Sequence, residues 1–395
     1  MSNNFAAEYF EGKVKDLKDR GVYKVLPVLQ GANNAEILLN GKKMINLCSN
    51  NYLGLVNHPA IKKGAIEAIN KYGVGASSAR NIIGNTDLYE EMERLIAEFK
   101  NEEAVLVMQS GYNCNVGAIP AIVEKEDLVI SDELNHASII DGVKLCKADK
   151  KIYKHLDMDS LEQVLKENRA KYNKVLILTD AVFSMDGDIA PLPKIVELAK
   201  KYEAMTYVDD AHGTGILGKG GRGTVDHFQL NGQVDFTMGT LSKAIPVQGA
   251  YVAGSQAMKD WILRGARSIL FSTCIPPAAV GAIIEVIKLM MNSTEQIDKL
   301  WDNTRYFKKE LSDLGFNIGN SQNPITPVII GEEDKAMDFS RKLLEKGILA
   351  SGIVFPVVPR GTGRLRCIVT AEHTKEQLDY CVNAFKSVAE DMRVL

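Results

Sequence analysis

Short apolar runs alternate with helix-like stretches through the middle of the chain. The runs that predict buried strands lie at residues 104–108, 128–131, 175–179 and 206–208. A stretch of helical spacing just before the first run has its apolar residues at Leu88, Met92, Leu95, Ile96 and Phe99. This alternation predicts an α/β protein with a mostly parallel sheet covered by helices on both faces, with ligands at the carboxyl ends of the strands.

The two ends of the chain follow other patterns. Residues 1–45 begin with a charged amphipathic stretch and then alternate toward a predicted hairpin at residues 40–41, which indicates an arm packed on another surface. A helix predicted near residues 277–291 leads into a final α+β region, where Thr374 and Gln377 form a capping box. The predicted arm, large domain and small C-terminal domain therefore span residues 1–45, 46–285 and 286–395.

Composition narrows the class of protein. The chain has 395 residues, 46% of them apolar, which is enough for two domains with a sizeable core. Its 47 basic and 50 acidic residues give a formal net charge of -3 without a basic block, so we expect no nucleic-acid partner. The six cysteines are scattered without a Cys-x-x-Cys pair, which favours reduced thiols in a cytoplasmic protein.

Neither a membrane span nor a secretion signal is predicted. The most apolar stretch, residues 269–291, is interrupted by Pro276, Pro277, Glu285 and Lys288, a pattern that favours a buried helix. The amino terminus is polar and lacks a hydrophobic signal core. We therefore expect a cytoplasmic protein that acts on small molecules.

A strand-like segment at residues 235–242 delivers a lone lysine, Lys243, behind the hydroxyls of Thr240 and Ser242. An amine held among apolar walls and near other cations loses part of its proton and attacks aldehydes, as lysine does in pyridoxal-phosphate (PLP) enzymes. Thr240 and Ser242 are then placed to meet a phosphate. A solvated surface amine is the alternative that this segment alone leaves open.

Another strand-like segment ends at Asp209 and places that carboxylate three residues before His212. A buried carboxylate beside a pyridine nitrogen raises the pKa of that nitrogen, so the ring stays protonated and accepts electrons. We assign this role to Asp209, and to His212 a hydrogen bond with the cofactor's phenolic oxygen. A metal-binding pair or a turn closed by Asp and His is the alternative. We assign no residue to a metal.

Further polar residues follow other predicted strands. Residues 109–113 predict a tight turn into a helix whose free amides, together with Ser110, would hold a phosphate. His136 stands where an imidazole could lie flat on the pyridine face, and Ser184 could donate to the phenolic oxygen. Turn serines and an ordinary loop histidine are the alternatives.

Five ordered motifs resemble those of the α-oxoamine synthases, which are PLP enzymes of fold type I. They are NNYLG at residues 50–54, LNHASIIDG at 134–142, DAVFSMDG at 180–187, VDDAH at 208–212 and GTLSK at 239–243. The resemblance extends from about residue 20 to His373. It implies a PLP-dependent C-acyltransferase with a large PLP-binding domain and a smaller C-terminal domain. It also implies a homodimer with the active site at the subunit interface.

The resemblance implies a role for individual residues. The residues that match the family's cofactor contacts are Gly111, Tyr112, His136, Ser184, Asp209, His212, Thr240 and Lys243. Among them, Lys243 matches the Schiff-base lysine and His136 the stacking imidazole. Ser272 and Thr273 match a phosphate contact that the family draws from the neighbouring subunit. We expect the catalytic groups to be His136, Asp209, His212 and Lys243.

Asn50 and Arg366 match positions that bind the amino-acid carboxylate in that family. Arg366 also has a physical argument, because alternation along residues 363–370 puts it on one face with Arg364, and an inward guanidinium needs an anion. A substrate carboxylate would supply that anion, and an internal ion pair is the alternative. We favour Arg366 over Arg364 because the second arginine of the motif is the one that the family uses.

Within the family, residues 135–148 are most similar to the pattern of glycine C-acetyltransferases. This interpretation implies glycine and acetyl-CoA as substrates, 2-amino-3-oxobutyrate as product and a place in threonine catabolism. The alternative is 8-amino-7-oxononanoate synthase, which joins alanine to a pimeloyl thioester. 5-Aminolevulinate synthase is less favoured, because Ala79 stands where those enzymes carry a threonine.

Two rivals come from other classes of protein. The glycine-rich residues 218–223 suggest a nucleotide-binding oxidoreductase, but they do not open a strand-to-helix turn in the required place. A non-catalytic relative is disfavoured because every catalytic residue type is present. The chain departs from the family pattern at residues 245–248, where Pro246 removes an amide beside the lysine. The lysine and its strand are intact, so we expect the chemistry to be kept.

Overall fold

Strands and helices alternate through the part of the chain that the computed structural model describes, residues 4–20, 23 and 25–395. The strands are β1 (Glu36–Leu39), β2 (Lys42–Asn46), β3 (Ala104–Met108), β4 (Leu128–Asp132), β5 (Asp149–Tyr153), β6 (Val175–Asp180), β7 (Met205–Asp209), β8 (Phe236–Ser242), β9 (Pro246–Gly254), β10 (Ile325–Gly331), β11 (Ile348–Leu349), β12 (Ser351–Ile353) and β13 (Gly363–Ile368).

The helices are α1 (Phe5–Asp19), α2 (Pro59–Tyr72), α3 (Asp87–Lys100), α4 (Gly111–Ile122), α5 (Ala137–Leu145), α6 (Met158–Asn168), α7 (Leu192–Lys201), α8 (Thr224–His227), α9 (Gln256–Gly265), α10 (Arg267–Leu270), α11 (Pro277–Asn292), α12 (Glu295–Asp313), α13 (Glu333–Glu345) and α14 (Lys375–Met392). None of those described helices combines the length and the apolar character that crossing a bilayer requires.

Seven strands form the central sheet, in the order β3-β9-β8-β7-β6-β4-β5. The neighbours among β8, β7, β6, β4 and β5 pair in parallel, whereas β9 pairs antiparallel with both β3 and β8. The predicted mostly parallel sheet and its strands β3, β4, β6 and β7 are therefore confirmed. The glycine-rich segment suggested for a nucleotide forms only a short 3-10 turn, Lys219–Gly221.

Helices cover both faces of the sheet and bury its apolar runs. Along β3, Val105 and Val107 face a core shared with α2, α3 and α11, whereas Leu106 and Met108 face a core shared with α4, α5 and α9. Successive side chains of a strand point to opposite faces. A sheet covered on both faces therefore needs continuous apolar runs rather than alternation, and that is the pattern of β3.

A hairpin near the amino terminus joins the C-terminal part of the chain. β1 and β2 pair antiparallel around Asn40 and Gly41, which adopt φ angles of 49° and 77°, so the predicted hairpin is confirmed. β2 pairs in parallel with β11, and Leu47 packs into a core with α12, α13 and α14. α14 begins with the predicted capping box. The predicted domain boundary after residue 285 falls inside α11.

Candidate active site

Lys243 lies in the tight turn that joins β8 to β9. Ser242, the last residue of β8, pairs with Pro246, the first residue of β9, across a local irregularity of the ladder. Ile245 is buried within the turn. The turn directs the lysine into the protein, where its Nζ lies 2.8 Å from Nε2 of His212.

The surroundings of Lys243 lower the pKa of its amine from 10.5 to about 8. Burial is the main cause, because it penalises the ammonium form, and the charge of Arg366 acts in the same direction. The carboxylates of Asp209 and Asp180 oppose the shift. Part of the amine is therefore free of its extra proton near neutral pH, as attack on an aldehyde requires.

Asp209 is the last residue of β7 and is 4% exposed. Its Oδ2 accepts a hydrogen bond from the side-chain amide of Asn115 at 2.7 Å, and its Oδ1 accepts one from the Ala211 amide at 3.1 Å. Asn115 is oriented in turn by Tyr207, whose hydroxyl donates to the Asn115 Oδ1 at 2.8 Å. Neutral donors therefore fix the orientation of a buried carboxylate and leave its charge available to a ligand.

Asp180 ends the neighbouring strand β6, directly opposite Asp209 in the ladder. Its Oδ2 accepts a hydrogen bond from the His136 amide at 2.7 Å. Burial, and then the charge of Asp209, raise the pKa of Asp180 well above its usual range, against the opposing effect of Lys243. Burial therefore favours the protonated form of the Asp180 carboxyl group.

His212 is buried between Tyr52 and Lys243. Its Nδ1 lies 2.8 Å from the Tyr52 hydroxyl, and its Nε2 faces the lysine amine. Burial, followed by the positive charges of Lys243 and Arg366, lowers the pKa of His212 well below its usual value. The imidazole is therefore neutral at neutral pH, with one nitrogen as donor and the other as acceptor.

The start of α4 lies beside the end of β8. Ser110 is the N-cap of α4, and its hydroxyl accepts a hydrogen bond from the Asn113 amide at 3.2 Å. A Cβ added to Gly111 would lie 3.3 Å from Met238 and 3.5 Å from the Thr240 hydroxyl oxygen, so the glycine allows the helix start to approach β8 closely. The first amides of α4 form a donor cluster that suits a phosphate. The Thr240 hydroxyl lies beside it and donates to the Gly249 carbonyl oxygen at 3.3 Å.

His136 is the N-cap of α5 at the edge of this site. Its Nδ1 lies 2.7 Å from the Ser138 hydroxyl, which fixes the ring. Partial burial lowers the pKa of His136, the charge of Asp209 opposes that shift, and the charge of Lys243 adds to it. His136 therefore stands within the electrostatic reach of the two predicted cofactor-binding groups.

Arg366, on β13, donates from Nε to the carbonyl oxygen of Ser184 at 2.6 Å. Two residues earlier, Arg364 is buried and forms an ion pair with Asp186. Among the described residues Arg366 has no carboxylate partner of this kind. The internal ion pair that was the alternative for this motif thus forms at Arg364, and Arg366 keeps a charge for a ligand.

The remaining predicted contacts lie around the rim. The backbone carbonyls of Ser272 and Thr273 accept hydrogen bonds from the Gln109 side chain at 3.5 and 3.0 Å. Tyr112 is 48% exposed, so its predicted contribution is limited to its backbone amide. The side-chain oxygen of Asn50 is buried and has no hydrogen-bond partner among the described residues. The roles assigned to all these residues stay predictions.

Sequence reasoning missed three residues of this site: Tyr52, Asn115 and Asp180. Asp180 is a carboxylate at a strand end, as Asp209 is, and this position could have identified it. Asn115 is a fully buried amide in the apolar helix α4, a weaker signal. Tyr52 offered no signal, because a single aromatic residue beside a leucine is typical of a core position.

The donor set fits PLP. A lysine of lowered pKa suits the aldehyde, the buried Asp209 suits the pyridine nitrogen, and the start of α4 suits the phosphate.

The comparisons with known proteins agree with this chemistry. The family model described as aminotransferase class I and II matches residues 42–385. The 8-amino-7-oxononanoate synthases of Alkaliphilus metalliredigens and Treponema denticola are 65% and 59% identical to the chain, and each match covers 100% of both sequences. A variant serine palmitoyltransferase from S. paucimobilis, solved with a bound PLP-myriocin aldimine, is similar with a TM-score of 0.93, 29% identity and 100% coverage of both chains.

Proposed function

The chain belongs to the class I and II aminotransferase family, and we propose from this premise that it condenses alanine with a pimeloyl thioester to give 8-amino-7-oxononanoate. It is a PLP-dependent C-acyltransferase of the α-oxoamine synthase type. The observation that carries the choice of substrates is the 65% identity to an 8-amino-7-oxononanoate synthase over the whole of both sequences.

This proposal corrects the choice that the motifs favour within the family. The pattern at residues 135–148 favours glycine C-acetyltransferase, whereas the comparisons favour the alternative member, and a place in threonine catabolism finds no support. The residues that line the reacting groups serve both reactions, because each begins with an amino acid and an acyl thioester. Short motifs around those residues therefore do not separate the two enzymes.

Bound PLP supplies an electron-accepting ring that stabilises negative charge at the α-carbon of the amino acid. Asp209 would pair with the ring nitrogen, and the start of α4 with Thr240 would hold the phosphate. His136 and Ser184 would contact the ring and its phenolic oxygen. These groups lie at the ends of β7 and β8, at the starts of α4 and α5 and in the turn after β6, so the sheet fixes their relative positions before any ligand binds.

Arg366 and Asn50 would anchor the carboxylate of the amino acid. Arg366 has no carboxylate partner among the described residues, and its charge already lowers the pKa of Lys243. The Lys243 amine, of which part is unprotonated near neutral pH, would then take the proton from the α-carbon. His212, at 2.8 Å from Nζ, holds that amine in place.

We also propose a homodimer in which Ser272 and Thr273 reach the phosphate site of the partner subunit. Their segment contacts Gln109, which directly precedes the α4 cap of the chain's own site, so it lies close to this rim. Phe271, just before it, is 75% exposed, as expected for a residue that a second subunit covers.

The cysteines form no disulfide, which favours a cytoplasmic location.

Carbon balance gives a sharp test of the substrates. Alanine and a pimeloyl group together carry ten carbons and the proposed product carries nine, so the carboxyl carbon must leave as carbon dioxide. Glycine and an acetyl group yield a four-carbon product that keeps the carboxylate. A matrix of amino acids and acyl thioesters, read by free-thiol release, separates the two, and carbon dioxide from carboxyl-labelled alanine checks the carbon balance of the proposed reaction.

We expect the fastest thiol release with alanine and a pimeloyl thioester, accompanied by equal release of labelled carbon dioxide. The Lys243→Ala variant is the control for background hydrolysis of the thioester. Faster thiol release with glycine and acetyl-CoA than with alanine and a pimeloyl thioester would contradict the proposed function.

A further inference from the structure

Tyr52 connects the candidate active site to the protein core. It follows β2, is completely buried, and belongs to the core between α2, α3 and α11. Its hydroxyl lies 2.8 Å from Nδ1 of His212, while Nε2 of the same ring lies 2.8 Å from Nζ of Lys243. The two rings meet edge to face at 6.1 Å. Tyr52, His212 and Lys243 therefore form a continuous chain of hydrogen-bonding groups.

The direction of these hydrogen bonds follows from what each group can donate. A neutral imidazole has one donor and one acceptor nitrogen, so the partner of Nδ1 decides what Nε2 offers. The Arg366 guanidinium acts on the Tyr52 oxygen and favours its ionised form, against burial, which raises the pKa of Tyr52 to about 12. Because a guanidinium never accepts, the lone pairs of the Tyr52 oxygen turn toward Arg366 and its proton turns toward Nδ1.

We propose that Tyr52 is a positioning residue, which holds His212 as the tautomer protonated on Nε2 and thereby directs an N–H donor at the Lys243 amine. An amine that accepts this hydrogen bond must be neutral. Tyr52 thus acts through His212 on the proton state of Lys243. The inference rests on the proposed function only in taking Lys243 as the reactive amine.

Other charges around Lys243 do not account for the same effect. Asp209 and Asp180 face the amine and favour its ammonium form, whereas Arg366 favours the neutral form. His136 acts on the pKa of His212 in the same direction as Lys243 and Arg366. Those effects depend on charge and distance alone. The tautomer of His212 depends on the Tyr52 proton, so removing that proton tests this contact separately from the charges.

Nitrogen NMR on the full chain labelled with 15N-histidine reads the tautomer directly. The chain has six histidines, and a His212→Asn variant assigns the signal. At pH 9, above the pKa of about 8 of Lys243, we expect Nε2 to be protonated and Nδ1 to be a hydrogen-bonded acceptor. A signal from the opposite tautomer, or from a doubly protonated ring, would overturn the proposal. This measurement needs no variant of Tyr52, so a folding defect cannot obscure it.

The second test uses Tyr52→Phe, which keeps the ring and removes the hydroxyl. The measured quantity is the pKa of Lys243, from the pH dependence of its labelling by a small acylating reagent in the cofactor-free full chain, located by peptide mass spectrometry. We expect a rise of about one pH unit, the size of one typical hydrogen bond. Without the Tyr52 proton, Nε2 is free to accept from the ammonium form.

Tyr89→Phe is the matched control. Tyr89 lies in the same core, is 3% exposed, and its hydroxyl makes one hydrogen bond, to the Val107 carbonyl at 3.3 Å. It should leave the pKa of Lys243 unchanged. In a His212→Asn background, Tyr52→Phe should have no further effect, because the ring that transmits it is gone.

An unchanged pKa of Lys243 in Tyr52→Phe, or an equal rise in Tyr89→Phe, would refute the role of Tyr52. Neither readout depends on which substrates the enzyme uses. Failure of the alanine and pimeloyl thioester assay with the expected tautomer and pKa shift would therefore reject the proposed substrates alone. The reverse pattern would reject only the role of Tyr52.

Discussion

Two lysines of the protein interior, the buried Lys100 and the partly buried Lys243, contact the turn that follows β7, and the pKa values of their amines are shifted in opposite directions. Lys100 is 3% exposed, and its Nζ pairs with the Asp210 carboxylate at 3.0 Å and donates to the Thr214 hydroxyl at 3.2 Å. Lys243 contacts the neutral imidazole of His212 instead. The pKa is raised at Lys100 and lowered, to about 8, at Lys243.

Burial does not explain this difference, because it lowers the pKa of both amines. At Lys100 the interactions with Tyr251 and Asp210 outweigh burial. At Lys243 the carboxylates of Asp209 and Asp180 do not outweigh it. The sequence places Asp209 and Asp210 side by side, and they serve different lysine environments. A lysine with a direct carboxylate partner therefore stays protonated and serves the structure. A lysine without such a partner has a lowered pKa and can react.

The largest expected effect is on turnover. Lys243→Ala should lower the rate of thiol release from the preferred substrates by at least about a thousandfold, because the amine that attacks the aldehyde and moves the α-proton is gone. Its urea midpoint should stay close to that of the wild type, since Lys243 makes no close ion pair. A variant that keeps more than a tenth of the wild-type rate would show that Lys243 is not the reactive lysine.

Lys100→Met tests the structural side. It leaves Asp210 buried without its cation, so we expect a loss of about 3–5 kcal/mol in the free energy of unfolding, measured by urea titration. The double variant Lys100→Met with Asp210→Leu should recover most of that loss, because no unpaired charge remains. If the double variant is as unstable as the single one, the ion pair is not what stabilises this turn.

The sequence predicted the strands that a local hydrophobic pattern marks. It did not predict the pairings between segments that are far apart in the chain. Strands β3, β4, β6 and β7 are short buried runs, so their alternation with helices indicates a parallel sheet. β9 carries no such signal, because it begins with Pro246, includes Gly249 and lies antiparallel between two partners. The pairing of β2 with β11 joins segments from opposite ends of the chain. The sequence of neither segment indicates which strand it pairs with.

The candidate site shows the same limit. Asp209 and Lys243 were predictable because each follows an apolar strand, where function concentrates in an open α/β sheet. Tyr52 and Asn115 were not, because their importance depends on the single atoms that they contact, Nδ1 of His212 and Oδ2 of Asp209. The substrates were not predictable either, since the motifs describe chemistry that several relatives share.

The comparison can be sharpened by giving Lys243 a carboxylate partner, as Lys100 has in Asp210. His212→Asp replaces the neutral ring with a carboxylate in the same turn, so we expect the pKa of Lys243 to rise by about 1–3 units. Labelling of Lys243 at a series of pH values measures this shift, and His212→Asn is the neutral control. Equal midpoints in the two variants would show that the charge of the partner does not set the proton state of Lys243.

A smaller effect concerns two histidines. Burial alone would lower the pKa of His155, but the hydrogen bond to Asp132 and the nearby carboxylate of Asp188 raise it to about 9. His212, which has no carboxylate partner among the described residues, is shifted the other way. A raised native pKa stabilises the fold fully below the unfolded value of about 6.5, and this contribution is lost as pH rises toward 9.

His155→Gln should therefore cost about 1 kcal/mol in unfolding free energy at pH 6, after allowance for the partial exposure of the ring, and much less at pH 9. Urea titrations of the wild type and the variant at both pH values measure this difference. A cost that is the same at pH 6 and pH 9 would mean that the proton on His155 contributes nothing to stability.

The most direct test of the central claim is to load the full chain with PLP, reduce it with borohydride, and locate the pyridoxyl tag by peptide mass spectrometry. We predict that the tag lies on Lys243 and that Lys100, held as an ammonium by Asp210, stays unmodified. A tag on Lys100 or on any other lysine, or no tag at all, would contradict the account.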